Sequence, residues 1–79
     1  MMISKEQFIS EILKKIDIHE GELDHNQPLM DYGLDSLAVM ELIESWNEMG
    51  IYLEMEDLAL NPTINAWWVI VKNNMLNKK

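Results

Sequence analysis

The sequence contains no cysteine. A disulfide framework, a Cys-ligated zinc site and a thiol nucleophile are thereby excluded. Arginine is also absent, so all six cationic side chains are lysines. None of them falls between Ile16 and Val71, whereas twelve of the fourteen acidic residues lie between Asp17 and Asp57. A field of one sign over that stretch repels a phosphate backbone, so nucleic-acid binding is not expected. No apolar run approaches the ~20 residues that a membrane span requires. The two N-terminal methionines do not introduce the basic and apolar segments of a secretory signal, and the expected compartment is the cytoplasm.

What is present fits one small domain over residues 1–79. A chain of this size buries roughly 60–65% of its unfolded surface, which leaves little room for a lidded substrate cavity. With 48% hydrophobic residues it is expected to fold, but an independent enzyme of this length would be unusual. The net charge of −8 has two readings. It is a solubility field, or it docks the domain electrostatically onto basic partner proteins.

The first helical segment begins at Ser4. Ser4 and Gln7 fit a capping box, and Ile3 with Phe8 fits a hydrophobic staple. Phe8, Ile9, Ile12, Leu13 and Ile16 then recur at helical spacing, which predicts a helix over residues 4–17. A long connection follows, punctuated by Gly21, Pro28 and Gly33, with Leu23, Leu29, Met30 and Tyr32 available to pin it to a core. From Ser36 the apolar spacing resumes through Val39, Leu42, Ile43 and Trp46, and Gly50 is suited to end that helix. Leu37 and Met40 fall at the margins of the stripe. Glu41, Glu44 and Glu48 form an acidic stripe without intrahelical lysine partners, which favours a partner outside the chain.

Ile51, Leu53 and Met55 alternate as in a strand, but a lone strand has nothing to pair with. An extended piece leading into a short helix at residues 55–60 is therefore expected. Asn61-Pro62 breaks the chain, and Thr63 is a candidate cap for a last helix carrying Ile64, Trp67, Trp68, Val71 and Met75. Adjacent tryptophans cannot share one helix face, so one enters the core and the other sits at its margin. The result is an all-α fold, a small bundle of four helices with a short third helix and a long first connection.

Ser36 is the residue that invites chemistry. Asp35 or Ser36 could cap the second helix, and neither is followed three residues later by Glu or Gln. Alternatively the Ser36 hydroxyl is exposed as an attachment point. Gly33 allows the sharp turn that would present it, and an ester phosphate there would sit beside free N–H groups at a helix start. Hydrolysis has little support. His19 and His25 lie in the polar connection with nothing to place them beside Ser36, and the surrounding residues lack the G-x-S-x-G elbow. His19-Glu20 and Asp24-His25 offer metal donors at a spacing that specifies no geometry. Met30, Met40, Met49 and Met55 could form an adaptable apolar margin near Ser36, or simply fill the core.

The run Asp31-Tyr32-Gly33-Leu34-Asp35-Ser36-Leu37 resembles the attachment motif of phosphopantetheine carrier domains, and the likeness extends over nearly the whole chain. The later run Asn61-Pro62-Thr63-Ile64-Asn65-Ala66-Trp67-Trp68 is similar to aryl carrier domains of nonribosomal siderophore assembly, which commonly carry salicylate or 2,3-dihydroxybenzoate. Peptidyl carriers more often show G-G-x-S around their serine. Fatty-acid carriers commonly place an acid after D-S-L, where this chain has Ala38.

The resemblance implies a discrete carrier-protein bundle that is not itself an enzyme. Ser36 would be the covalent attachment point for 4′-phosphopantetheine, transferred from coenzyme A by a separate phosphopantetheinyl transferase. An aryl-acid adenylating ligase would load the distal thiol as a thioester. A condensation or cyclisation domain of a nonribosomal peptide synthetase would then unload it. Asp35 would orient Ser36 or be read by the transferase. Leu37 and Met40 would contact partners, and Glu41, Glu44 and Glu48 would steer them. A monomer is expected. A D-alanyl, amino-acyl or polyketide carrier shares the same attachment chemistry, and an unmodified acidic helical adaptor is the alternative of a different class.

Overall fold

The computed structural model describes residues 2–76. Four α-helices follow in order: α1 (Lys5–Leu13), α2 (Ser36–Glu48), α3 (Met55–Leu60) and α4 (Ile64–Leu76). Two short 3-10 helices, Glu20–Glu22 and Leu29–Tyr32, lie within the connection from α1 to α2. No strand occurs among the described residues. The architecture is the all-α bundle with a short third helix and a long first connection that the sequence pattern predicts. No helix among the described residues is long and apolar enough to cross a membrane.

Each long helix buries residues spaced three and four apart. Phe8, Ile9 and Ile12 point inward from α1, Val39, Leu42 and Trp46 from α2, and Ile64, Trp67 and Val71 from α4. Leu58 is the buried anchor of α3. These side chains form one cluster with Ile3, Leu23, Leu29, Leu34, Ile51 and Leu53 from the connections. Phe8 lies between two indoles, with ring centroids 5.3 Å from both Trp46 and Trp68. Such pairs add about 0.5–1.5 kcal/mol each beyond the area they bury. Trp67 is fully buried and donates its Nε1–H to the Leu58 carbonyl at 2.8 Å, which ties α4 to α3. Trp68 is half-buried. The tandem tryptophans therefore divide between core and margin as their spacing requires.

The helix ends follow local chemistry. Ser4 accepts the Gln7 N–H at 3.0 Å, while the return bond of the capping box is not formed. Thr63 caps α4 by accepting the Ala66 N–H at 3.1 Å. After α2, Gly50 takes a left-handed φ of 88° and turns the chain, as its position predicts. The helix predicted over residues 4–17 ends earlier, at Leu13. There the ladder tightens, with Lys15 N–H bonded to the Ile12 carbonyl and Ile16 N–H to that of Leu13. The i→i−3 bonds wind the chain into a turn that still packs Ile16 and Ile18 against the core.

Residues 51–54 are extended, with Ile51 and Leu53 buried and Tyr52 exposed. Their pairing partner is a side chain. Tyr52 N–H donates to Asn74 Oδ1 at 3.2 Å, and Asn74 Nδ2 donates to the Tyr52 carbonyl at 2.7 Å.

Candidate functional site at the start of the second helix

The site is built by the turn that precedes α2. The 3-10 helix Leu29–Tyr32 ends on Gly33, whose φ of 94° is left-handed. The Gly33 N–H donates to the Met30 carbonyl at 3.1 Å, and the Leu34 N–H to that of Leu29 at 3.3 Å. Leu34 is buried and anchors the turn. Asp35 follows in extended conformation and its carboxylate accepts the Ala38 N–H at 2.8 Å. Its own carbonyl takes the Val39 N–H at 3.0 Å.

This resolves the two capping possibilities. Asp35 is the cap, and Ser36 is the first residue of α2. Ser36 is exposed and its hydroxyl makes no hydrogen bond among the described residues. The amides of Ser36 and Leu37 have no acceptor there either. A nucleophilic oxygen thus stands free at the positive end of a thirteen-residue helix. A phosphoester on that oxygen would meet unpaired N–H groups rather than displace a structural bond.

Beside Ser36 lies a groove of about 180 Å³ lined by Met30, Val39, Met55, Leu58, Ala59 and Trp67. Its walls are almost wholly apolar. Leu37 and Met40 are 63% and 55% exposed on the adjoining face of α2. Leu60, at the end of α3, is 78% exposed. Sequence reading had not singled it out, because its position inside a short apolar helix reads as packing. Of the four methionines expected near Ser36, Met30 and Met55 line the groove and Met40 lies one turn along α2. Met49 is instead the C-cap at the opposite end of that helix, so it belongs to a different region.

The acidic stripe is not uniform. Glu41 is bound by Lys15 at 2.8 Å, a cation supplied from the turn after α1. Glu44 and Glu48 are exposed and form no ion pair among the described residues. Neither His19 nor His25 bonds to Ser36, and no cluster of three or more metal-ligating side chains occurs among the described residues.

A free serine oxygen thus follows a Gly-led turn, at a helix start beside an apolar groove. The family model for the phosphopantetheine attachment site matches residues 6–67, and the chain belongs to that family of carrier domains. Its cofactor is 4′-phosphopantetheine. The arrangement around Ser36 fits that group, since the hydroxyl is free of structural duty and the flanking surface is apolar.

Among proteins of known description, the chain is similar to pseudomonine synthase PmsE of Pseudomonas entomophila, 45% identical over 60 residues, or 76% of this chain and 10% of that protein. It is 36% identical to enterobactin synthase component B of Escherichia coli over 81% of this chain and 22% of that protein. It is 32% identical to phenyloxazoline synthase MbtB of a Mycobacterium species over 90% of this chain and 6% of that protein. The chain therefore spans a small part of the length of each. No solved structure matched at a significant level.

Proposed function

We propose that this chain is an aryl carrier protein, holding an aryl acid on a cofactor attached at Ser36 for nonribosomal siderophore assembly. The observation that carries the attachment is the Ser36 hydroxyl, exposed and unbonded while Asp35 does the capping. The aryl cargo is supported by the similarity to synthases that include one named for a phenyloxazoline. The resemblance of the run Asn61–Trp68 to aryl carrier domains adds to that support.

When bound, 4′-phosphopantetheine supplies a thiol on a flexible arm, on which an acyl group is carried as a thioester. The protein's own residues do the rest. Gly33 and Leu34 hold the turn, and Asp35 secures the helix start. Ser36 supplies the oxygen that, on a phosphopantetheinyl transferase, gives up its proton and forms a phosphoester with the phosphopantetheine half of coenzyme A, while the pyrophosphate bond breaks and adenosine 3′,5′-bisphosphate leaves. Leu37, Met40 and Leu60 give an apolar face to successive partners, an aryl-acid adenylating ligase and then a condensation or cyclisation domain. Glu44 and Glu48 add a charge that attracts basic partner surfaces. Catalysis resides in those partners. One core gathers side chains from all four helices, which supports a single carrier domain; a monomeric state and a cytoplasmic location complete the proposal.

The test is intact-protein mass spectrometry after incubation with coenzyme A and a broad-specificity transferase. A gain of about 340 Da is expected, and Ser36→Ala abolishes it. No gain in the unaltered protein with several such transferases overturns attachment. The modified protein is then offered 2,3-dihydroxybenzoate, salicylate and amino acids with their adenylating ligases. Preferential loading of an amino acid overturns the aryl assignment.

A further inference from the structure

We infer that Asn26 and Asn65 are positioning residues for Ser36, forming a clasp that fixes the first connection in the pose the modifying enzymes read. The inference rests on Ser36 being the attachment point. Neither asparagine lines the groove beside Ser36.

The connection from the end of α1 to the start of α2 contains no α-helix, and Ser36 directly follows it. A segment of that length has many conformations available, so something must select one. Leu29 and Leu34 bury part of its second half in the core, and its hydrogen bonds to a distant element go to the beginning of α4. Asn65 N–H donates to the His25 carbonyl at 3.1 Å, and Leu29 N–H to the Pro62 carbonyl at 2.6 Å. Asn65 Nδ2 donates to Asn26 Oδ1 at 2.7 Å, across 39 residues of sequence. From there the links run forward to the site. Tyr32 Oη accepts the Asp24 N–H at 2.9 Å and closes the loop on itself. Gly33 and Leu34 then fold back on Met30 and Leu29 immediately before Asp35 and Ser36.

The two asparagines have no competing task. Thr63 already caps α4, so the Asn65 side chain is not needed to start that helix. Asn65 is also off the buried stripe of α4, which consists of Ile64, Trp67 and Val71. Asn26 is exposed. The clasp therefore adds little to the core while it sets where the connection lies. Either amide can serve as donor, because an asparagine can turn its amide over.

That property gives a test with an unusual pattern. With Asn26→Asp, the carboxylate still accepts from Asn65. With Asn65→Asp, Asn26 turns over and donates to it. The double variant Asn26→Asp/Asn65→Asp has two acceptors and no donor, and Asn65→Ala has no partner at all. Each variant of the full chain is modified by a transferase with coenzyme A, with initial rates followed well below melting. The single Asp variants are expected to keep KM within about twofold, while the double variant and Asn65→Ala raise it about three- to tenfold at little-changed kcat. All variants still gain the full mass at saturating transferase. Val71→Ala, a core change that lowers stability without touching the clasp, leaves KM unchanged.

Hydrogen exchange gives a readout independent of activity. Amides of residues 27–35 exchange faster in the double variant and in Asn65→Ala than in either single Asp variant. The inference is overturned if the double variant matches the singles in KM and exchange, or if Val71→Ala raises KM as much as the clasp variants do. If the unaltered protein gains no mass, the Ser36 assignment itself fails, and with it the role inferred for the clasp.

Discussion

Replacing Asp35 separates two duties that one carboxylate could hold. The structure shows the first, since its oxygen accepts the Ala38 N–H at 2.8 Å and caps α2. The second, recognition by the transferase, is what the family resemblance implies for it. Asp35→Asn keeps an acceptor and removes the charge, whereas Asp35→Ala removes both. Loss of an N-cap side chain costs about 1 kcal/mol. The charge alone, at an exposed helix start, contributes about 0.3–1 kcal/mol and less as salt rises. In a domain of this size each kcal/mol moves the melting temperature by roughly 4–8 °C. The Ala variant is therefore expected to melt about 4–8 °C below the unaltered protein, and the Asn variant less than half as far below in physiological salt. Circular dichroism melts measure the shift, and initial modification rates are taken where all three proteins are folded. A normal rate in the Asn variant assigns Asp35 to capping alone, whereas a rate lost in a stable Asn variant assigns it to recognition. An Ala variant that melts with the unaltered protein, or an Asn variant as unstable as Ala, would refute the capping argument.

Gly33→Ala tests the turn before the site. A Cβ there meets open space, so the whole cost is the left-handed backbone, about 1–2 kcal/mol by urea denaturation, with Gly33→Asn costing less. Trp67→Phe strands the Leu58 carbonyl and opens space beneath the groove, with an expected loss of about 2–3 kcal/mol in the same assay. A loss below that of Trp68→Phe would contradict the assignment of Trp67 as the core member of the pair.

Legibility in the sequence followed how local the controlling physics is. The short helix over Met55–Leu60 was readable because Asn61-Pro62 stops it within two residues. The cap at Thr63 was readable for the same reason. The end of α1 was not, because Ile16 and Ile18 stay apolar to pack from a turn and so imitate a longer helix. Asp35 and Ser36 are both good caps, and only the backbone shows which one has the extended conformation. Glu41 looked unpartnered because Lys15, its partner, lies beyond the reach of any helix rule. The clasp of Asn26 and Asn65 joins residues too far apart for periodicity to relate. The family was legible from the run Asp31–Leu37, but the groove beside Ser36 needed Met30, Met55, Ala59 and Trp67 brought together by the fold.

The pairing of Tyr52 with Asn74 has a consequence for life at high concentration. An extended backbone stretch with alternating buried and exposed residues is the kind of segment to which another chain can add a strand and begin to aggregate. Here the outward N–H and carbonyl of Tyr52 are both occupied by one amide from α4. A neighbouring molecule approaching that edge finds no open donor and acceptor at residue 52 to copy. One amide from α4 thereby closes residue 52 of this stretch to strand addition.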